Sequence, residues 1–163
     1  VEEISKINGP VYLRLCRLET PIIYKENEKF EIGKAIQIGD GTDATVFATG
    51  VVVSEAIKAK EKLEKQGIHI RVVDIHTIKP IDKEMIIKCA KETKQLISIE
   101  DHSIINGLGT AIAEVLIQEY PCKLTRIGIK DEFGRSGKAT ELLKHYGLTA
   151  ENIILQIGGK VNE

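Results

Sequence analysis

The sequence predicts an α/β protein with a largely parallel sheet and helices on both of its faces. Two observations predict it. From residue 44 onward, short apolar stretches of strand character alternate with longer stretches of helical period. The helical stretches run about 11 to 15 residues, long enough to carry the chain across a sheet and back to a parallel neighbour.

Each element has its own signal. Residues 1–7, starting at Val1 with Glu2-Glu3-Ile4, read as the tail of a helix that begins upstream, so a fragment of a longer protein is expected. After the turn residues Asn8-Gly9-Pro10, Val11-Tyr12-Leu13-Arg14-Leu15-Cys16 reads as a short strand. Residues 18–33 have no period and read as an extended linker with two aromatic anchors, Tyr24 and Phe30. A strand over 34–38 closes at Gly39-Asp40-Gly41, and a second follows at 44–49. The helix predicted over 52–66 places Val53, Ala56, Ile57, Lys60 and Leu63 on one side and stops at Gly67. Strand 70–75, helix 82–93 and strand 95–100 come next. The helix predicted over 108–118 sets Leu108, Ala111, Ile112, Val115 and Leu116 on one face. A strand at 123–129 precedes two short helices, at 138–146 with Ser136 as its cap and at 150–157 capped by Thr149.

Composition excludes several classes of function. At 163 residues, the chain can bury roughly 70% of its unfolded surface and needs neither disulfide nor metal to fold. Lys and Arg total 23 against 24 Asp and Glu, so the net charge of −1 gathers neither nucleic acid nor anionic membrane. Cys16, Cys89 and Cys122 are widely spaced and fit a reducing compartment. No apolar run approaches the ~20 residues of a membrane helix. A soluble, cytoplasmic protein is expected.

In an open parallel sheet, ligands sit beyond the carboxyl ends of the strands. There the sequence places Gly50, His76 and the group Glu100-Asp101-His102. That group could perform acid–base work, or it could be a hydrogen-bond network that pins a loop or meets another subunit. No nucleophile or metal-ligand spacing accompanies it, which favours the structural or interface reading. Gly107-Leu108-Gly109 opens a helix as a phosphate loop would, but Ile112 stands where the dinucleotide fingerprint has its third glycine, so close packing is the better reading. Among His69, His76, His102 and His145 no pair has zinc spacing. Arg17, at the end of a predicted strand, is either a phosphate clamp or a plain surface arginine.

Several stretches together resemble the end of the transketolase family. Gly9-Pro10-Val11-Tyr12-Leu13-Arg14 with Arg17 resembles the last strand of its pyrimidine-binding domain, and Phe30 with Gly33-Lys34-Ala35 the entry to its C-terminal domain. Asp74-Ile75-His76-Thr77-Ile78-Lys79-Pro80-Ile81-Asp82 is similar to its strand-to-helix crossover. Residues 100–109 follow the next one, although the family more often has Glu at 101 and Gly at 106. Phe133-Gly134-Arg135-Ser136-Gly137-Lys138, Glu141-Leu142-Leu143 and Tyr146-Gly147-Leu148-Thr149 resemble its closing helices. Deoxyxylulose-phosphate synthase and the β subunits of 2-oxo-acid dehydrogenases share this domain, there as an interaction module that docks a partner. The stretch at 133–138 favours transketolase.

The resemblance implies a three-layer α/β/α domain over 34–163 with a five-stranded, mostly parallel sheet and one antiparallel strand at 34–38. It makes 1–17 the tail end of the pyrimidine-binding domain and 18–33 the linker. It implies a homodimeric enzyme of the pentose phosphate pathway that moves a two-carbon ketol unit between sugar phosphates. The thiamine diphosphate and Mg²⁺ would be bound outside this chain, between pyrophosphate- and pyrimidine-binding domains, leaving this segment alone inactive and without catalytic residues. Arg17 would bind substrate phosphate, and Glu100, Asp101 and His102 would form the structural or interface cluster. Gly39-Asp40-Gly41 looks like part of the metal motif but lacks the Asn-Asn that should follow, so it reads as a turn.

Overall fold

The structure, a computed structural model, describes residues 1–17 and 19–161. Leu18, the first position of the expected linker, and Asn162 and Glu163, the last two of the expected C-terminal domain, lie outside the described residues. A short helix α1 (Glu2–Ser5) precedes a long stretch whose described residues form neither helix nor strand. Then come β1 (Ile36–Ile38), β2 (Ala44–Ala48), a 3-10 turn (Gly50–Val52) running into α2 (Val53–Glu64), β3 (Ile70–Asp74), α3 (Lys83–Glu92), β4 (Leu96–Ser103), α4 (Leu108–Glu119), β5 (Leu124–Ile129), α5 (Ala139–His145) and α6 (Ala150–Ile157).

The five strands lie in the order β1-β3-β2-β4-β5. β1 pairs antiparallel with β3, Ile36 opposite Asp74, while the β2–β3, β2–β4 and β4–β5 pairs are parallel. The five-stranded mixed sheet and its antiparallel first strand are those the family resemblance implies. The chain leaves central β2 for β3 on one side and later returns to β4 on the other. The gap between the carboxyl ends of β2 and β4 is therefore where the winding reverses, the usual place for a site in such a sheet.

Strand alternation builds two cores. Ala44, Val46 and Ala48 of β2, Ile70 and Val72 of β3, and Ile97 and Ile99 of β4 pack against α2 and α6 through Ala56, Ala59, Leu63, Ile153 and Ile154. Phe47, Val73 and Leu96 point the other way, against Ile86 and Cys89 of α3 and Leu108, Ile112 and Leu116 of α4. Full burial of Phe47 alone contributes on the order of 2–3 kcal/mol. In α2 the inward row takes Ala59 rather than Lys60, whose ammonium pairs with Glu64 at the helix surface. In α4 it takes Gly109 rather than Ala111.

Helix boundaries follow local chemistry. The Asp82 carboxylate accepts from Met85 N at 3.0 Å and starts α3, while Thr149 Oγ1 accepts from Asn152 N at 3.4 Å and starts α6. The cap of α5 differs from expectation. It is Lys138, without a side-chain bond, and Ser136 stands two residues outside in an exposed loop. Gly39-Asp40-Gly41 is a connection tied on itself, with Gln37 Nε2 donating to Gly39 O and Asp40 Oδ1, each at 2.9 Å.

Residues 11–16 form no strand. They pair with neither edge strand of this sheet, β1 or β5. Their apolar side chains stay in solvent, Tyr12 89% and Leu15 76% exposed. Among the described residues, no helix is long and apolar enough to cross a membrane.

Candidate functional site

Leu96, Ser98 and Glu100 alternate along β4, so Glu100 faces the same layer as Leu96, which is the layer of α4. It arrives there completely buried. Its Oε2 accepts from Leu108 N at 2.7 Å and its Oε1 from Gly109 N at 2.9 Å, two of the first-turn donors that a helix cannot satisfy internally. A negative carboxylate at this end also meets the positive end of the helix dipole. Gly107 and Gly109 are required for contact: a Cβ on Gly107 would run into the Glu100 carboxylate, and one on Gly109 would come within 2.7 Å of Ser98 Oγ and Arg126 Cδ.

The backbone donors that a phosphate would use are therefore already occupied by the chain's own carboxylate. A phosphate here would also sit against that buried negative charge. The close-packing reading of Gly107-Leu108-Gly109 is the one the geometry supports, and nucleotide binding at this turn is not.

Asp101, next on the strand, turns to the opposite side and meets the N-terminal segment. Arg14 grips it with both arms, Nη1 to Oδ1 at 2.8 Å and Nη2 to Oδ2 at 3.1 Å. His102 Nδ1 lies 3.1 Å from the same Oδ1, and its Nε2 is 3.8 Å from Glu100 Oε2. Burial pushes the Asp101 carboxyl up, but its bonds to His102 and Arg14 outweigh that and hold it well below the usual carboxylate range. The bond to Asp101 in turn raises the His102 imidazole, against the effect of burial.

On the other side of β2, the end of β3 carries a different cluster. Tyr24 Oη donates to Asp74 Oδ2, and Phe30 packs edge-on against Tyr24 and His76 with ring centres 5.0 and 5.4 Å apart. The two aromatic anchors of the linker thus close over Asp74 and His76. Asp74 Oδ1 and His76 Nε2 are buried with no hydrogen-bond partner among the described residues. Burial drives the Asp74 carboxyl up, while the Tyr24 hydroxyl and the neighbouring His76 pull it back.

Sequence reasoning singled out Glu100, Asp101 and His102, and the structure brings all three together. It leaves Arg17 apart, exposed at a bend, with no ion pair among the described residues. The arginine that reaches the cluster is Arg14, which the sequence marks only as part of an extended segment. Among the described residues no three His, Cys, Asp or Glu side chains gather as a metal site. With Glu100 on the helix and Asp101 held by Arg14 and His102, these residues do not fit a diphosphate or the divalent cation that would accompany one.

The family model for the transketolase C-terminal domain matches residues 33–153. A putative transketolase C-terminal section of Methanocaldococcus jannaschii is 51% identical over 160 residues, covering 96% of this chain and 50% of that protein. A 6-deoxy-6-sulfo-D-fructose transketolase subunit of Clostridium sp. is 42% identical over 152 residues, covering 93% of this chain and 47% of that subunit. A solved split gene transketolase, described as an inactive beta4 tetramer, superposes with a TM-score of 0.92 at 39% identity and covers 96% of this chain and 52% of its own. The chain thus spans about half the length of these relatives.

Proposed function

The chain belongs to the transketolase family and carries its C-terminal domain, and from that membership we propose that it is the architectural part of a complete transketolase. That enzyme transfers a two-carbon ketol unit between sugar phosphates. Its thiamine diphosphate and Mg²⁺ are held by pyrophosphate- and pyrimidine-binding domains outside this chain. Residues 1–17 end the pyrimidine-binding domain, 18–33 link, and 34–163 form the domain that helps to build a homodimer. The segment alone does not turn over sugar phosphates.

The observation that carries the architectural role is Glu100. The position where an α/β sheet would offer a helix end to an anion is closed by a buried carboxylate bonded to Leu108 N and Gly109 N. Relatives named as transketolase subunits, of about twice this length, support the catalytic assignment of the complete protein. Exposed Tyr12, Leu13 and Leu15 support a missing partner surface beside the N-terminal segment.

Arg17 is the one residue of this chain that we assign to substrate, as a clamp on its phosphate. In the assembled enzyme, steady-state kinetics of Arg17→Ala should show KM for phosphorylated sugars rising about 10- to 150-fold, with a smaller fall in kcat. An unchanged KM would remove Arg17 from the site. The chain without its partner domains should give no transketolase turnover in a coupled assay, and turnover there would overthrow the architectural reading.

A further inference from the structure

The segment leading into the domain is staked at two points. Arg14 is fixed to Asp101 at the carboxyl end of β4, and Tyr24 is fixed to Asp74 at the carboxyl end of β3. Those two strands flank β2, so the two stakes stand on either side of the central strand. Strands two apart are separated by about 10 Å, whereas ten residues of extended chain reach some 33 Å. The connection between the stakes therefore has slack in length, which each stake limits from its own end. Arg17 lies three residues after the first one, within about 10 Å of chain from Arg14.

The first stake is directional. A guanidinium bound through two nitrogens to both oxygens of one carboxylate is fixed in plane as well as in distance, which a lysine contact does not achieve. Its acceptor is itself held. His102 Nδ1 bonds Asp101 Oδ1, and the neighbouring Glu100 is locked into the first turn of α4. A continuous line of contacts runs from the buried core of the domain to the exposed arginine segment.

We infer that Asp101 is a positioning residue which, through Arg14, sets where Arg17 stands to receive the phosphate of the substrate. The inference rests on the reading of Arg17 proposed above. It gives the C-terminal domain a part in substrate affinity without touching substrate.

The test uses the assembled enzyme and two ketol donors, one phosphorylated and one not. Asp101→Asn and Arg14→Ala should each raise KM for the phosphorylated donor on the order of tenfold, because a clamp displaced by about 1 Å loses most of its contact. For the non-phosphorylated donor KM should move less than about twofold, since that donor has no phosphate to hold. Asp101→Glu, which keeps a carboxylate, should recover part of the loss. In the double variant Asp101→Asn/Arg17→Ala, KM should be no higher than in Arg17→Ala alone, because the two changes remove one interaction.

If Arg17→Ala raises KM while Asp101→Asn and Arg14→Ala do not, the positioning role is wrong and the reading of Arg17 stands. A double variant whose effects add, or equal KM rises for both donors, also overturns the positioning role. If Arg17→Ala leaves KM unchanged, both fall together. Should Asp101→Asn fail to fold, Arg14→Ala, at a half-exposed side chain, decides the matter.

Discussion

Asp74 and Asp101 stand at the carboxyl ends of β3 and β4, on either side of β2, and each fastens the incoming segment to the sheet. Their surroundings push them in opposite directions. Asp74 is covered by Tyr24 and Phe30, and burial raises its carboxyl despite the Tyr24 hydroxyl. Burial raises Asp101 too, but His102 and the Arg14 fork overcome it and hold the group ionised. Two strand ends in one sheet can thus anchor the same segment by different physics, one an aromatic strap over a carboxyl that resists ionising, the other an ionic clamp. The difference is decided by which side chains the segment delivers, Tyr24 and Phe30 to one end and Arg14 to the other.

The largest effect comes from removing the frame beneath the clamp. Glu100→Ala strands two buried N–H groups at about 1–3 kcal/mol each, so urea unfolding of the chain should lose roughly 2–6 kcal/mol at unchanged m. Glu100→Gln, which keeps one acceptor oxygen, should lose less, and equal losses would show that the carboxylate does not cap α4. A smaller effect comes from the strap. Tyr24→Phe deletes the donor to Asp74 and should cost about 1–2 kcal/mol in the same assay. No loss would mean that Phe30 packing alone holds the linker.

The pH dependence of unfolding separates the two carboxylates. The folded Asp101 lies below its ordinary 3.8, so its contribution is present above that value and disappears as pH falls through the folded one. Asp101→Asn should flatten the acid side of the stability profile. Asp74 lies above its ordinary 3.8, so its contribution is complete below that value and is lost as pH rises through the folded one. Asp74→Asn should therefore remove a decline on the other side of 3.8. If both variants changed the same side, the comparison would collapse. The smallest effect belongs to His102, raised above 6.5 by Asp101: its contribution is complete below 6.5 and fades as pH climbs through the folded value. His102→Gln should flatten the profile above 6.5.

The sheet and its helices were legible because each strand pairs inside this chain and each amphipathic face finds a layer to bury against. Residues 11–16 have the same strand-like composition, yet a strand is a property of a pair, and none of the five strands here is their partner. Glu100-Asp101-His102 was legible as a polar strand end. Its internal use could have been read from the alternation Leu96, Ser98, Glu100, which turns the carboxylate toward α4. Arg14 was not legible as a clamp. Its partner is 87 residues away, and no local pattern in an irregular segment announces which strand end it will meet. Ser136 failed as a cap for a related reason: a cap must bond the first turn, and α5 starts two residues too far along.

The architectural role proposed for this domain requires that its own side chains close the end of β4 against a cofactor. A calorimetric titration of the chain with thiamine diphosphate and Mg²⁺ tests it most directly. No heat of binding is expected, with the Leu108 and Gly109 N–H groups remaining on Glu100. A saturable, stoichiometric heat would contradict it and would return Glu100, Asp101 and His102 to consideration as a cofactor site.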